Sequence, residues 1–188
     1  HKKNLPDNTK TLDVWLEAYT TGTLSASQQQ SIDNLLAYMS SRGVGPDWYD
    51  FMYSPSKIWD MYQRLLIPFY WKGEIVGFTG RVFEESQAVK YYTDVWPGYV
   101  FNMDVQDWTR KFVIVTEGPF DAISVSGVSI LGSEINDTQR ELIDGLGRKV
   151  IVVPDRDAPG EKLINQAIEF GWSVAFPEWD KTVGDVAD

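Results

Sequence analysis

The sequence predicts an α/β protein in which a parallel β-sheet, covered by helices on both faces, follows a smaller α+β region. Strand and helix signals alternate regularly after residue 109. The strands in this half are short apolar runs without period-two alternation, as expected for strands that are buried on both faces. The half before it contains a β-rich hairpin pattern. We therefore place two domains at residues 1–108 and 109–188.

The composition fits a globular protein and restricts its chemistry. The 188 residues are 43% hydrophobic, which is enough material for a packed core. With no cysteine and a single histidine, His1, the chain has no ligands for an ordinary zinc site. Any metal must therefore be held by oxygen, which favours hard cations. The net charge of −10 argues against bulk electrostatic coating of nucleic acid, yet it leaves room for a local basic groove.

Nothing in the sequence indicates membrane insertion or secretion. We find no run of about 18 or more apolar residues, and no charged-then-apolar leader followed by a small-residue cleavage site. We therefore expect a cytoplasmic protein without a membrane partner. The G-x-x-x-x-G-K-[ST] loop of nucleotide-driven motors does not occur either.

The first half begins with a polar stretch that is expected to contain one helix, followed by a clear amphipathic helix. Its apolar residues recur at helical spacing, Ser25 or Ser27 can cap its start, and Gly43 stands where a left-handed C-terminal cap belongs. Pro46, with apolar residues up to Met52, predicts a second short helix. Residues 64–70 and 75–83 then predict a hairpin whose turn contains glycine, and residues 91–105 add further short strands or irregular structure.

The second half predicts four strands and three helices. The strands are expected at residues 112–116, 128–131, 149–153 and 172–176, and the helices at residues 119–126, 137–146 and 159–170. In the second of these helices, Thr138 and Glu141 have the spacing of a capping box.

Acidic residues follow the first and third of these strands. Glu117 and Asp121 come after the first, and Asp155 and Asp157 come after the third. Ligand sites in parallel α/β sheets lie outside the carboxyl ends of the strands, so these side chains would meet if the two strands are neighbours. Clustered carboxylates repel one another unless a cation lies between them, which predicts a metal site. The alternative is that each acidic residue only caps a helix, because a single D-x-D is common.

Residues 112–121 (FVIVTEGPFD) and 150–160 (VIVVPDRDAPG) resemble the TOPRIM domains of bacterial and phage primases, topoisomerases of types IA and II, and some nucleases. The resemblance implies a Rossmann-like TOPRIM sheet that holds Mg²⁺ or Mn²⁺, with Glu117, Asp155 and Asp157 catalytic. Asp121 and Asp185 would be further metal ligands. The later acidic motif is altered, since Gly184 stands where a lysine is common, which leaves the roles of Asp185 and Asp188 open.

The upstream residues resemble primases in particular. Residues 36–44 (LAYMSSRGV) are similar to a helix end that primases carry before the polymerase core, and the hairpin up to Lys90 is similar to their basic motif. The resemblance implies that the nucleotide or template is bound by basic side chains, namely Arg64, Arg81, Lys90 and Arg156. Arg156 replaces the glycine that is usual between the two aspartates, as in some phage relatives.

The implied activity is metal-dependent synthesis of short RNA primers on single-stranded DNA from ribonucleoside triphosphates, in a bacterial cell or a phage-infected host. A replicative helicase would be a partner through regions outside this chain, which we expect to be a trimmed core. Two alternatives stay open: a TOPRIM nuclease that uses the same metals to cleave phosphodiesters, and a non-catalytic module that binds nucleic acid.

Overall fold

A computed structural model describes residues 4–156 and 160–177. The chain contacts divide it into two compact units, His1–Val95 and Trp96–Asp188. The division comes earlier than the predicted boundary near residue 108. Its physical reason is that Tyr99, Val100 and Phe101 are buried, and Phe101 pairs with Ser129 in the second unit.

The first unit contains a five-stranded antiparallel sheet in the order β1-β2-β3-β4-β5. The strands are β1 Lys10–Thr11, β2 Met52–Tyr53, β3 Arg64–Trp71, β4 Glu74–Val82 and β5 Tyr91–Asp94. The helices are α1 Leu12–Thr20 and α2 Ala26–Ser41. A short 3-10 segment, Ile58–Gln63, leads into β3.

The amphipathic helix and the hairpin of the first half are confirmed. Ser25 caps α2 in a capping box with Gln28, and Gly43 has the expected left-handed φ of 65°. Strands β3 and β4 pair along their whole length. Lys72 and Gly73 form the turn with φ of 49° and 81°, the signature of the two-residue turns that suit twisted hairpins.

The second short helix, predicted from Pro46, is wrong. Met52 lies in a strand, pairs with Thr11 on one side and Leu66 on the other, and is buried together with Phe51. Pairing to the sheet buries these apolar residues more completely than one short surface helix could. The sheet therefore overrides the local helix-start signal.

The second unit is built on a four-stranded parallel sheet, as predicted, in the order β7-β6-β8-β9. Its strands are β6 Phe112–Thr116, β7 Val128–Ser129, β8 Lys149–Val152 and β9 Ser173–Val174, and its helices are α3 Pro119–Val125, α4 Asp137–Asp144 and α5 Gly160–Glu169. The predicted capping box of α4 is shifted by two residues, because Asn136 and Gln139 form it.

Alternate residues of the central strands fill the core of this unit. Val113 and Val115 of β6 pack with Val150 and Val152 of β8, and all four are at most 5% exposed. Leu163 and Ala167 of α5 cover them. This packing fixes β6 and β8 as neighbours and so decides which loops meet at their carboxyl ends. Within the described residues, no helix is both long and apolar enough to cross a bilayer.

Candidate functional site

Glu117 and Asp155 meet at the carboxyl edge of the parallel sheet. Strands β6 and β8 pair in register, and the backbone N–H of Val153 continues the pairing by donating to the Val115 carbonyl at 2.9 Å. Two residues further on, the backbone N–H of Asp155 donates to Oε2 of Glu117 at 2.6 Å. The carboxylate therefore takes the place that a strand carbonyl would occupy, and it brings the two acidic segments together as the sequence predicts.

Glu117 is held firmly in this position. Only 7% of the residue is exposed, and its backbone carbonyl accepts a hydrogen bond from Oγ of Ser129 at 2.7 Å. The same carbonyl accepts from the N–H of Gly132 at 3.2 Å. A buried carboxylate is costly unless hydrogen bonds or a cation compensate its charge. Burying a glutamate here would lower the free energy of unfolding if its carboxylate neither bound a ligand nor accepted hydrogen bonds.

Asp121 lies in the first turn of α3 and is only 3% exposed. Its Oδ2 would be 3.6 Å from a Cβ atom built on Gly118, so the carboxylate is folded back toward the residue that follows Glu117. Gly118 itself has an ordinary φ of −104°, and the added Cβ would make only normal contacts. Neither close approach nor backbone freedom requires glycine at this position.

The sequence also predicts Asp157, Asp185 and Arg156 as site residues. Asp157 and Asp185 lie outside the described residues. Arg156 is described, and it is exposed directly after Asp155. Within residues 4–156 and 160–177, no group of three or more acidic or histidine side chains is close enough to hold a metal ion. The described part of the site thus supplies the Glu117 carboxylate in contact with the backbone of Asp155, and the joint use of the Asp155 and Asp157 carboxylates stays a prediction.

The atoms that could bind a metal at this edge suit a hard divalent cation. All of them are carboxylate or carbonyl oxygens, which Mg²⁺ and Mn²⁺ prefer, and the chain offers no thiolate that would favour a softer metal. The hydrogen bond from Asp155 fixes Oε2 of Glu117, while the half-buried position of Asp155 gives access from solvent.

Arg64 of the first unit is a buried residue, only 2% exposed. Its Nη1 donates to the carbonyls of Gly80 and Val89 at 3.0 and 2.9 Å, and Nε donates to the Trp59 carbonyl at 3.3 Å. Gly80 makes room for it, since a Cβ there would lie 2.9 Å from Cδ of Arg64. Nucleotide or template binding by Arg64 stays a prediction, and these backbone contacts count against it.

Arg81 lies between two aromatic rings. Its guanidinium carbon is 5.3 Å from the ring centroid of Tyr38 on α2 and 5.3 Å from that of Tyr91 on β5. Burial of the hydroxyl, followed by the effect of Tyr38, raises the pKa of Tyr91 to about 12, although 38% of the residue is exposed. Tyr91 therefore stays neutral at physiological pH. Lys90 is exposed, and its backbone carbonyl accepts from the N–H of Val82.

Arg42 is a residue that the sequence reasoning missed. Its charge, like that of Arg81, acts to lower the pKa of Tyr91, so both cations lie close to the Tyr91 hydroxyl. Arg42 follows Tyr38 by four residues at the end of α2, a spacing that puts both on one helix face. Arg42 belongs to residues 36–44, the segment that resembles a helix end of primases, and this motif is the part of the sequence that could have indicated it.

Comparisons with known proteins agree with this architecture. No protein-family model matches the sequence. A DNA primase of Clostridium acetobutylicum is 28% identical over 112 residues, which cover 52% of this chain and 19% of that protein. The chain thus spans about one fifth of that primase.

Solved primase structures resemble nearly the whole chain. The zinc-binding and RNA polymerase domains of Aquifex aeolicus primase superpose with a TM-score of 0.65 at 22% identity, over 94% of this chain and 55% of that one. The RNA polymerase domain of Mycobacterium tuberculosis primase DnaG gives 0.66 at 16% identity, over 94% and 78%. A DnaG catalytic domain bound to single-stranded DNA gives 0.65 at 16% identity, over 93% and 74%. The chain therefore has the fold of the catalytic cores of DnaG-type DNA primases.

Proposed function

We propose that this chain is the catalytic core of a DNA primase, which joins ribonucleotides on a single-stranded DNA template. The observation that carries the proposal is the pairing of Glu117 with Asp155 at the carboxyl edge of the sheet, within a fold shared with primase catalytic cores. The 28% identity with a primase over half of the chain gives independent support.

The acidic residues act by holding divalent metal. Glu117, Asp121, Asp155, Asp157 and Asp185 are the proposed ligands, and Mg²⁺ or Mn²⁺ bound there would activate the primer 3′-hydroxyl and offset phosphate charge. The protein's own contribution is positional. The burial of Glu117 and its hydrogen bond from Asp155 fix one carboxylate before substrate arrives, so no reorganisation is needed during the reaction.

The basic side chains act on phosphate. Arg81, Lys90 and Arg42 belong to the first unit, and we assign them to the triphosphate or the template backbone. Stacking between Tyr38 and Tyr91 restricts the rotamers of Arg81, so less side-chain entropy is lost when the guanidinium binds an anion. Arg156, exposed beside Asp155, is assigned to a phosphate at the acidic edge.

The partners follow from the same assignment. One of the similar structures is a DnaG catalytic domain bound to single-stranded DNA, which supports single-stranded DNA as the template here. Ribonucleoside triphosphates are the proposed substrates. A replicative helicase is a proposed partner through parts of the protein outside this chain.

The test is the substitution Asp155→Asn, assayed with single-stranded DNA, labelled ribonucleotides and Mn²⁺ or Mg²⁺. The amide keeps the shape of the side chain but removes one negative charge, so nucleotide incorporation should fall by at least about 100-fold. The matched control is Asp137→Asn, an exposed aspartate at the start of α4, which should keep parental activity. Parental activity in Asp155→Asn contradicts the assignment. DNA degradation without incorporation would instead identify a nuclease.

A further inference from the structure

The amino-terminal edge of the parallel sheet, at the opposite strand ends from Glu117, combines cationic and aromatic side chains. Strand β6 begins at Phe112 and β8 at Lys149, and these two residues are partners in the parallel register. The N–H of Lys149 also donates to the Lys111 carbonyl at 3.0 Å. The residues that precede and begin the two central strands therefore form one continuous surface.

Four cations lie on this surface, in a chain whose net charge is −10. Lys111 and Lys149 are exposed, and Arg110 and Arg148 are half-buried. Nη1 of Arg148 is a buried atom that has no hydrogen-bond partner within the described part of the chain. Arg110 reaches the carbonyls that end α3, with Nη1 3.3 Å from the Ser126 oxygen. This concentration of positive charge is the reverse of the chain's overall balance.

Trp108 stands two residues before Arg110 in the sequence and is 96% exposed. The turn that carries it is ordered, because both the N–H and Oγ1 of Thr109 donate to Oδ1 of Asp107 at 2.8 Å. The hydrogen bonds from Thr109 are the main causes that lower the pKa of Asp107, and the charges of Arg110 and Arg148 lower it further, so this carboxylate lies near both arginines. This engaged carboxylate and that of Asp104 are the acidic groups of the same segment. An exposed indole that stands next to cations offers the stacking face that unpaired bases use.

We infer that this surface binds single-stranded nucleic acid away from the catalytic edge. We call it the rear edge, and it consists of Trp108, Arg110, Lys111, Arg148 and Lys149. An unpaired base stacks on Trp108, and the flanking phosphates pair with the exposed Lys111 and Lys149. Stacking on an indole needs a base that is free of its partner, which selects a single strand over a duplex. The inference rests on the proposed function, since a template-directed polymerase must handle strand beyond its reaction centre.

The test measures equilibrium binding of a fluorescein-labelled oligodeoxythymidine by fluorescence anisotropy in EDTA, so that metal-dependent chemistry does not contribute. Trp108→Ala should weaken binding about tenfold. The double variant Lys111→Gln/Lys149→Gln should weaken it and also reduce the slope of log affinity against log salt by about 0.7 per lysine. The matched controls are Trp48→Ala and Lys57→Gln, exposed residues of the first unit that should bind like the parent.

The outcomes separate this inference from the proposed function. Parental affinity in Trp108→Ala and in the double lysine variant, with unchanged melting temperatures, overturns the rear edge even if the chain synthesises primers. Equal, Trp108-independent affinity for a blunt duplex overturns the single-strand assignment. Active Asp155→Asn would refute the catalytic proposal, whereas a selective loss of strand binding in the rear-edge variants would still support this surface.

Discussion

Two arginines show how the surroundings of a side chain decide its role. Arg64 and Arg81 come from adjacent, paired strands, and both were predicted to bind nucleotide or template. Arg64 donates hydrogen bonds to carbonyls of the 3-10 segment, of β4 and of the loop before β5. Arg81 has its guanidinium near two tyrosine rings and donates to one backbone carbonyl, that of Val82. The first arrangement holds loops to the sheet, and the second keeps a cation on the half-buried side of β4.

Replacing Arg64 with lysine should therefore destabilise the protein in the absence of any ligand. A lysine cannot reproduce the forked donors, so at least one buried carbonyl loses its partner, at a cost of about 2 kcal/mol in the free energy of unfolding. Urea unfolding measures this loss. Lys57→Arg, the reverse exchange at an exposed position, is the control and should leave the free energy of unfolding unchanged. Unchanged stability of Arg64→Lys together with weaker nucleotide binding would instead support the prediction that Arg64 binds nucleotide or template.

The local sequence could indicate where the acidic residues would lie, but it could not indicate the surroundings of the arginines, and the reason is physical. Glu117 and Asp155 directly follow apolar strands, so local pattern together with the geometry of parallel sheets brings them to one edge. The environment of Arg64 depends on the Val89 carbonyl, 25 residues away, and no local pattern records that contact. Arg42 lay in a recognised motif, but its proximity to Tyr91 comes from the packing of the first unit.

At the scale of elements, the starts of the strands and helices in the second unit were predicted to within one residue. β6 was predicted at its observed bounds, because a buried strand needs an uninterrupted apolar run. The helix expected after Pro46 did not form, because Met52 lies in β2 and pairs with both β1 and β3. The cap of α4 was displaced because several nearby residues can cap a helix, and here the Asn136 amide also donates to the Pro97 carbonyl.

The turn between β3 and β4 offers a direct test of the hairpin. Gly73 has a φ of 81°, and an added Cβ would meet no atom within 4 Å, so Gly73→Ala carries only the backbone cost of left-handed alanine. That cost should be about 1 kcal/mol in the free energy of unfolding. Lys72→Asn should have the opposite sign, because asparagine tolerates the φ of 49° better than lysine. Thermal melting of both variants measures these changes. Melting temperatures that are equal in the two variants would contradict this turn geometry.

At the scale of the whole molecule, the strong negative charge makes divalent cations a test of the site. The net charge of −10 means that any salt relieves some self-repulsion, so the metal effect must be separated from screening. Mg²⁺ at about 100 times its Kd should add about 2.7 kcal/mol to the free energy of unfolding through binding alone. NaCl at equal ionic strength is the control for screening.

The variant Glu117→Gln should remove the specific part of this stabilisation. The amide oxygen can still accept the hydrogen bond from Asp155, so the fold keeps its ladder while the site loses one charge. The melting temperature of Glu117→Gln should then rise equally in Mg²⁺ and in NaCl of the same ionic strength, whereas that of the parent should rise further in Mg²⁺. A response to Mg²⁺ in Glu117→Gln as large as in the parent would mean that the cation binds elsewhere.

The hydrogen bond between Asp155 and Glu117 also bears on how such a sequence can change over evolutionary time. Strand side chains alternate between faces, so inserting or deleting one residue within β6 or β8 would turn every later side chain to the opposite face. Asp155 N–H would then no longer meet the Glu117 carboxylate. Substitutions that keep the strands apolar leave the strand alternation intact, and the fold itself is shared with the mycobacterial domain at 16% identity. Segment length, more than residue identity, is therefore what the two central strands must preserve.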